Sequence, residues 1–156
     1  MCYKKKANVF LIIVGEGEEK NNLMKKVNKL NLTNNVLFVG NIDHEYIANY
    51  YNLADIFLSF YDYSNAGNPL FEAMLFSKCI VTLNNGDTSK FIDNNSGVLF
   101  NEYNEINISN KIIELLNDDN KRKTLGKNAR NRIITEFYDW NERIKIEIDA
   151  IKGIIN

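Results

Sequence analysis

The apolar run Val9-Phe10-Leu11-Ile12-Ile13-Val14 ends abruptly in Gly15-Glu16-Gly17-Glu18. A strand with one wet face alternates apolar and polar residues. An unbroken β-branched run instead reads as a parallel strand covered on both faces. The same kind of run recurs at Val36–Val39, Asp55–Phe60, Cys79–Leu83 and Gly97–Phe100. Between the runs, apolar residues fall at spacings of three and four, as in Leu23, Val27 and Leu30, which is helical. Asp43 is placed to cap a helix from His44 to Leu53. After Phe100 the pattern is helical only: Ile106 to Leu116, then Leu125 to Phe137, then Ile144 to Ile151. Alternation of this kind predicts an α/β fold, a Rossmann-like parallel sheet sandwiched by helices. The expected organisation is one domain over residues 1–156, with a leader at 1–8 and C-terminal helices over 105–156.

Several function classes are disfavoured by totals. A net charge of −1 supplies no field for nucleic acid. The basic stretch Lys121 to Arg132 has no interleaved aromatic residues and reads as a solvated helix face. No apolar run is long enough to span a bilayer. Cys2 and Cys79 stand in unrelated contexts, which fits a reducing compartment and a cytoplasmic location. His44 is the sole histidine, so triads and histidine metal sites lack material. No metal site is expected.

In parallel sheets of this type, ligands gather at the carboxyl ends of the strands. That rim collects Gly15 to Glu18, Gly40 to Asp43, Tyr61 to Pro69 and Asn84 to Lys90. The most informative stretch is "SNAGNPLFEAM", residues 64–74. Asn68 suits an N-cap and Pro69 the first helical position. Gly67 lets a phosphate approach the free N–H groups of the first turn. Glu72 then lies about one turn in, where a carboxylate can accept a pair of sugar hydroxyls. A glutamate there is equally a residue that complements the helix dipole. The residues alone leave both readings open. Gly15-x-Gly17 lacks the third glycine of a dinucleotide fingerprint and reads first as a tight turn. Gly86 to Ser89 offers hydroxyls to a polar ligand, or forms a capped turn.

Five segments in order resemble the C-terminal, nucleotide-sugar-binding half of the group 1 glycosyltransferases (family 4, GT-B fold, retaining). They are "FLIIVGEGEEKNNL", "NNVLFVGNIDHEYIANYYNLADIFLSF", "NPLFEAMLFSKCIV", "NGDTSKFIDNNSGVLF" and "LGKNARNRIITEFYDW". The resemblance implies a nucleoside diphosphate sugar as donor and no metal or other cofactor. It implies that Glu72 holds the donor ribose and that Gly67, Asn68 and Pro69 seat the diphosphate. Asn65 and Leu70 flank that seat, Gly15 and Gly17 line the donor cleft, and Ile42 lies by the base.

The sequence departs from the family pattern in three places. The pattern E-x7-E has Ser64 where its first glutamate would meet the donor's sugar. Asp62 is the carboxylate near enough to substitute, so the candidate catalytic set is Glu72, Ser64 and Asp62. The usual G-x-P reads Ser77-Lys78-Cys79, and a later family glutamate reads Lys90. The first βα unit of that half, with its basic phosphate contacts, and the acceptor-binding half are not represented.

The implied function is donor binding for hexosyl transfer to a glycan or lipid acceptor, inactive without an acceptor domain. In that reading the chain is a truncated piece or is completed by an acceptor domain in another chain, and the missing half would bring any peripheral membrane contact. An uncovered sheet edge implies marginal stability or self-association. The alternative is a non-catalytic interaction module on the same fold.

Overall fold

A computed structural model describes residues 9–62 and 66–136, together with 144, 145, 148, 149 and 152. Its elements alternate as the apolar runs require: β1 Leu11–Val14, α1 Lys20–Lys29, β2 Val36–Gly40, α2 His44–Leu53, β3 Ile56–Ser59 and α3 Asn68–Leu75. Then come β4 Cys79–Leu83, α4 Thr88–Phe91, β5 Val98–Phe100, α5 Glu105–Asn117 and α6 Asp119–Glu136. Of the expected helix Ile144 to Ile151, Ile144, Lys145, Ile148 and Asp149 are described, and all four are helical.

The elements form two compact units. One holds β1, α1, β2, α2 and α5; the other holds β3, α3, β4, α4, β5 and α6. Each has its own parallel sheet, ordered β1-β2 and β3-β4-β5.

In the first unit, Leu11 pairs with Val36 and Ile13 with Phe38, and the register slips before Val14 meets Gly40. Cover on both faces was expected for β1. Instead Phe10 is 70% exposed, Leu37 54%, and Leu11 and Val14 41% each. A two-stranded sheet has too few neighbours to shield both faces. The buried residues of this unit's helices are Tyr51, Ile108 and Leu115. Ile106, assigned by its spacing to the apolar stripe of α5, is 58% exposed.

The second unit carries the stronger core. Strand β4 is paired on both sides, and Cys79, Ile80, Val81 and Thr82 are all at most 1% exposed. Leu70, Ala73 and Met74, at helical spacing on α3, are buried with them. Helix α6 closes over α3 and β4 and buries Leu125, Gly126 and Ala129. Small residues let it approach closely. A Cβ on Gly126 would fall 2.0 Å from the Ser77 carbonyl oxygen. Ser77 ends α3 with a left-handed φ of 54°. Its N–H donates to Met74 O, and Lys78 N–H donates to Ala73 O, which is a Schellman end.

The basic residues of α6 are not simply a solvated face. Arg122 is 3.1 Å from Asp119 and 3.5 Å from Asp55. Arg132 is 2.6 Å from Asp93, and Arg130 donates to the Leu75 carbonyl. Long cationic stems cover apolar surface while their heads tie α6 to the unit beneath.

Two substitutions test this packing. Gly126→Ala improves helix propensity by about 1 kcal/mol, yet overpacks backbone against backbone. It should lower unfolding stability by about 1–3 kcal/mol net. Ser77→Gly relieves a left-handed residue and should raise stability by about 1 kcal/mol. Urea denaturation checks both. A stabilising Gly126→Ala would show that α6 does not sit on the Ser77 turn.

Candidate functional site

Because strands within each unit are parallel, their carboxyl ends share a rim. In the second unit that rim carries Asp62, Gly67, Asn68, Pro69, Leu70 and Glu72. In the first it carries Gly15, Gly17 and Ile42. Ser64 and Asn65 lie outside the described residues.

Helix α3 begins one residue earlier than its sequence suggests. Gly67, with extended φ −68° and ψ 169°, is the N-cap, Asn68 is the first helical residue and Pro69 the second. The Asn68 preference for caps loses here because proline is tolerated anywhere in the first turn, where an N–H has no helical partner. Glycine has no side chain to offer, and no side chain caps α3. Pro69 has no N–H, and Leu70 N–H donates to Gly67 O at 3.0 Å. Among the described residues the Gly67 and Asn68 N–H groups have no such partner, so these two present the positive end of the helix. Leu70 itself is 3% exposed, a core side chain. Glu72 is half-buried, flanked in sequence by half-buried Phe71 and fully buried Ala73. The loop before α3 closes on Ala66, 3% exposed, with a left-handed φ of 53°.

The exits of the three strands are laced together. Thr82 Oγ1 donates to Ser59 O at 2.8 Å. Asn85 Nδ2 donates to Tyr61 O at 2.5 Å and to Asp62 O at 3.1 Å. Asn84 N–H donates to Phe100 O at 2.7 Å, and Asn84 Nδ2 to Asn101 Oδ1 at 2.9 Å. Asn85 was not singled out in the sequence, since its partners lie far along the chain. Of the hydroxyls in the Gly86 to Ser89 loop, Thr88 is fully buried and turned away from any surface ligand.

In the first unit Gly15 has φ +116° and Gly40 φ +80°, both closed to ordinary side chains. Gly15 N–H donates to Gly40 O at 2.8 Å. Glu16 is 2.5 Å from Lys20, and Lys20 N–H bonds Gly17 O at 3.1 Å. The G-x-G segment is thus a tight strand-to-helix turn with one acid already paired. Ile42 is half-buried just beyond β2.

Burial pushes the Cys79 thiol up to about 11, against the charges of Arg122 and Lys121, so it is no nucleophile. A polar cleft of about 210 Å³ is lined by Asp93, Ser96, Asn128 and Arg132, among others. It sits by the turn that enters β5, at the opposite end of the strands from the Gly67 cap. Its carboxylate is already committed: Asp93 Oδ1 accepts from Ser96 Oγ at 2.7 Å and from the Asn95 and Ser96 N–H groups. Among the described residues no cluster of three His, Cys, Asp or Glu suits a metal ion. Among them, too, no helix is long and apolar enough to cross a membrane.

These features define a Rossmann-like α/β chain of parallel sheets flanked by helices, with a helix N-terminus that no side chain caps on the rim of its second unit. The sequence profile of the glycosyl transferases group 1 matches residues 1–132. An uncharacterized glycosyltransferase of Methanocaldococcus jannaschii is 32% identical over 97% of this chain, which spans 38% of that protein. The solved C-terminal domain of a Francisella tularensis group 1 glycosyltransferase superposes over 87% of this chain and 73% of that one. The TM-score is 0.77 at 23% identity. Anabaena HepE, solved in complex with UDP, superposes over 91% of this chain and 41% of that one, with a TM-score of 0.75 at 24% identity. The chain belongs to the group 1 glycosyltransferases. Its fold is that of the C-terminal half of their GT-B architecture.

Asp93 supplies a pH test of the second unit. Burial pushes its carboxyl up, but hydrogen bonds from Ser96 and from the Asn95 and Ser96 N–H groups, with the Arg132 charge, outweigh burial and hold it below its usual value. A folded value below the unfolded one contributes stability above the unfolded value, near 4, and loses it as pH falls through the folded one. Asp93→Asn should therefore destabilise at pH 7, with a deficit that shrinks below about pH 4. Urea midpoints across pH 3 to 7 read this directly. A deficit independent of pH would remove the ionised carboxylate from the account.

Proposed function

We propose that this chain binds the donor of a retaining hexosyl transfer, a nucleoside diphosphate sugar, and that it works together with an acceptor-binding domain. The observation that carries the reading is the Gly67-capped start of α3, with Glu72 about one turn in. The diphosphate sits on the Gly67 and Asn68 N–H groups and the helix dipole. Glu72 accepts the two ribose hydroxyls.

In transfer, the bond from the sugar's anomeric carbon to the diphosphate oxygen breaks, and the acceptor hydroxyl forms the new bond on the same face. Negative charge grows on the departing diphosphate. Two fixed N–H donors and a helix N-terminus answer that charge without reorganising. Asp62, with Ser64 where the family pattern has glutamate, faces the sugar in this reading. UDP in HepE supports the choice of ligand class. The acceptor is a glycan or lipid, and no metal takes part.

Titration calorimetry with UDP, GDP and ADP tests the reading. One of them should bind the wild-type chain, and Glu72→Ala should weaken it about 10- to 100-fold, equivalent to roughly 1.5–3 kcal/mol for hydrogen bonds to a charged group. No heat with any nucleotide at millimolar concentration sinks the proposal.

Exposed Phe10, Leu11 and Leu37 favour a second reading, an association module. It expects a stable dimer or a captured protein partner in light scattering, together with indifference to nucleotides.

A further inference from the structure

We infer that Asn85 is a positioning residue that holds Asp62 at the sugar end of the donor. This inference rests on the donor-binding reading above and assigns one more residue to it.

A side-chain amide has two N–H donors on one nitrogen. Asn85 Nδ2 spends both on consecutive carbonyls, Tyr61 O at 2.5 Å and Asp62 O at 3.1 Å. Two carbonyls in a row fix the orientation of the intervening peptide, and with it the direction in which the Asp62 side chain leaves the backbone. Tyr61 and Asp62 are themselves exposed, so nothing in the core fixes them.

The clasp has a rigid base. Asn85 leaves β4, whose residues Cys79 to Thr82 are at most 1% exposed. Its neighbour Asn84 is held on the other side, by Phe100 O at 2.7 Å and Asn101 Oδ1 at 2.9 Å. Its own carbonyl accepts from Thr88 N–H at 3.2 Å. The amide is thus fixed to the sheet, and the first residues of the donor loop are fixed to the amide. The loop's far end is anchored independently by buried Ala66. Losing the clasp therefore frees Asp62 but leaves the α3 cap in place.

That separation gives the test. The full chain is titrated with UDP, UDP-glucose and UDP-GlcNAc as wild type, Asn85→Asp and Asn85→Ala. Asn85→Asp keeps the shape but points oxygen at two carbonyl oxygens. Asn85→Ala removes the contact without repulsion and guards against misfolding of the first variant. UDP uses Gly67, Asn68 and Glu72, so its Kd should stay within about twofold. The better-binding UDP-sugar should weaken at least tenfold in Asn85→Asp and about fivefold in Asn85→Ala. The ratio of the two dissociation constants is the diagnostic, because general damage to the unit moves both together. An unchanged ratio, or a wild type that binds UDP and neither UDP-sugar, overturns this inference and leaves the donor reading standing. A wild type that binds none of UDP, GDP and ADP overturns both.

Discussion

Everything in the second unit depends on burying β4. It is the central strand of three, and Ile80 and Val81 are fully excluded from solvent. Apolar burial at this density contributes about 1.5–3 kcal/mol for each large side chain. Small residues of α6 seal the strand from one side: Gly126 lies against the Ser77 carbonyl, and Ala129 is fully buried. A strand packed on every side is a firm base for what leaves its carboxyl end. Asn84 and Asn85 leave there, and they hold the exits of β5 and β3.

The same strand sets the position of α3. The helix packs Leu70, Ala73 and Met74 inward, which turns Glu72 to its flank and brings Gly67 to the rim. Most helices begin with a serine, threonine, aspartate or asparagine that satisfies the first N–H groups. This one begins with glycine, followed by a proline that has no N–H to satisfy. What remains, among the described residues, is two backbone donors and a dipole that no side chain caps. The local stability given up is a few tenths of a kcal/mol relative to a hydroxyl or amide cap. An anion placed there restores it.

Much of this was legible in the residues. Unbroken apolar runs marked each strand, and ordered segments such as "NPLFEAMLFSKCIV" pointed to the family that the profile match then established. Other features depended on pairs far apart in sequence. Arg122 near Asp55 and Arg132 near Asp93 look like a basic helix face until α6 is folded onto its unit. Asn85 reads as one more loop asparagine in an asparagine-rich chain until Tyr61 and Asp62 arrive beside it. The cap of α3 was misplaced by one residue because the asparagine and proline preferences agree on Asn68 as the cap, whereas proline at the second helical position costs little, its missing N–H having no helical partner there. Cover for β1 was misjudged for a different reason. Composition reports what a strand would bury, whereas the two-stranded sheet leaves Leu11 and Leu37 exposed.

The central claim is that α3 seats the donor diphosphate on two backbone N–H groups. Amide chemical shifts of the 15N-labelled chain during addition of UDP test it most directly. The account predicts saturable displacement of the Gly67 and Asn68 amide signals, among the largest in the spectrum. Saturable binding that leaves both signals in place, with the large displacements elsewhere, would contradict it.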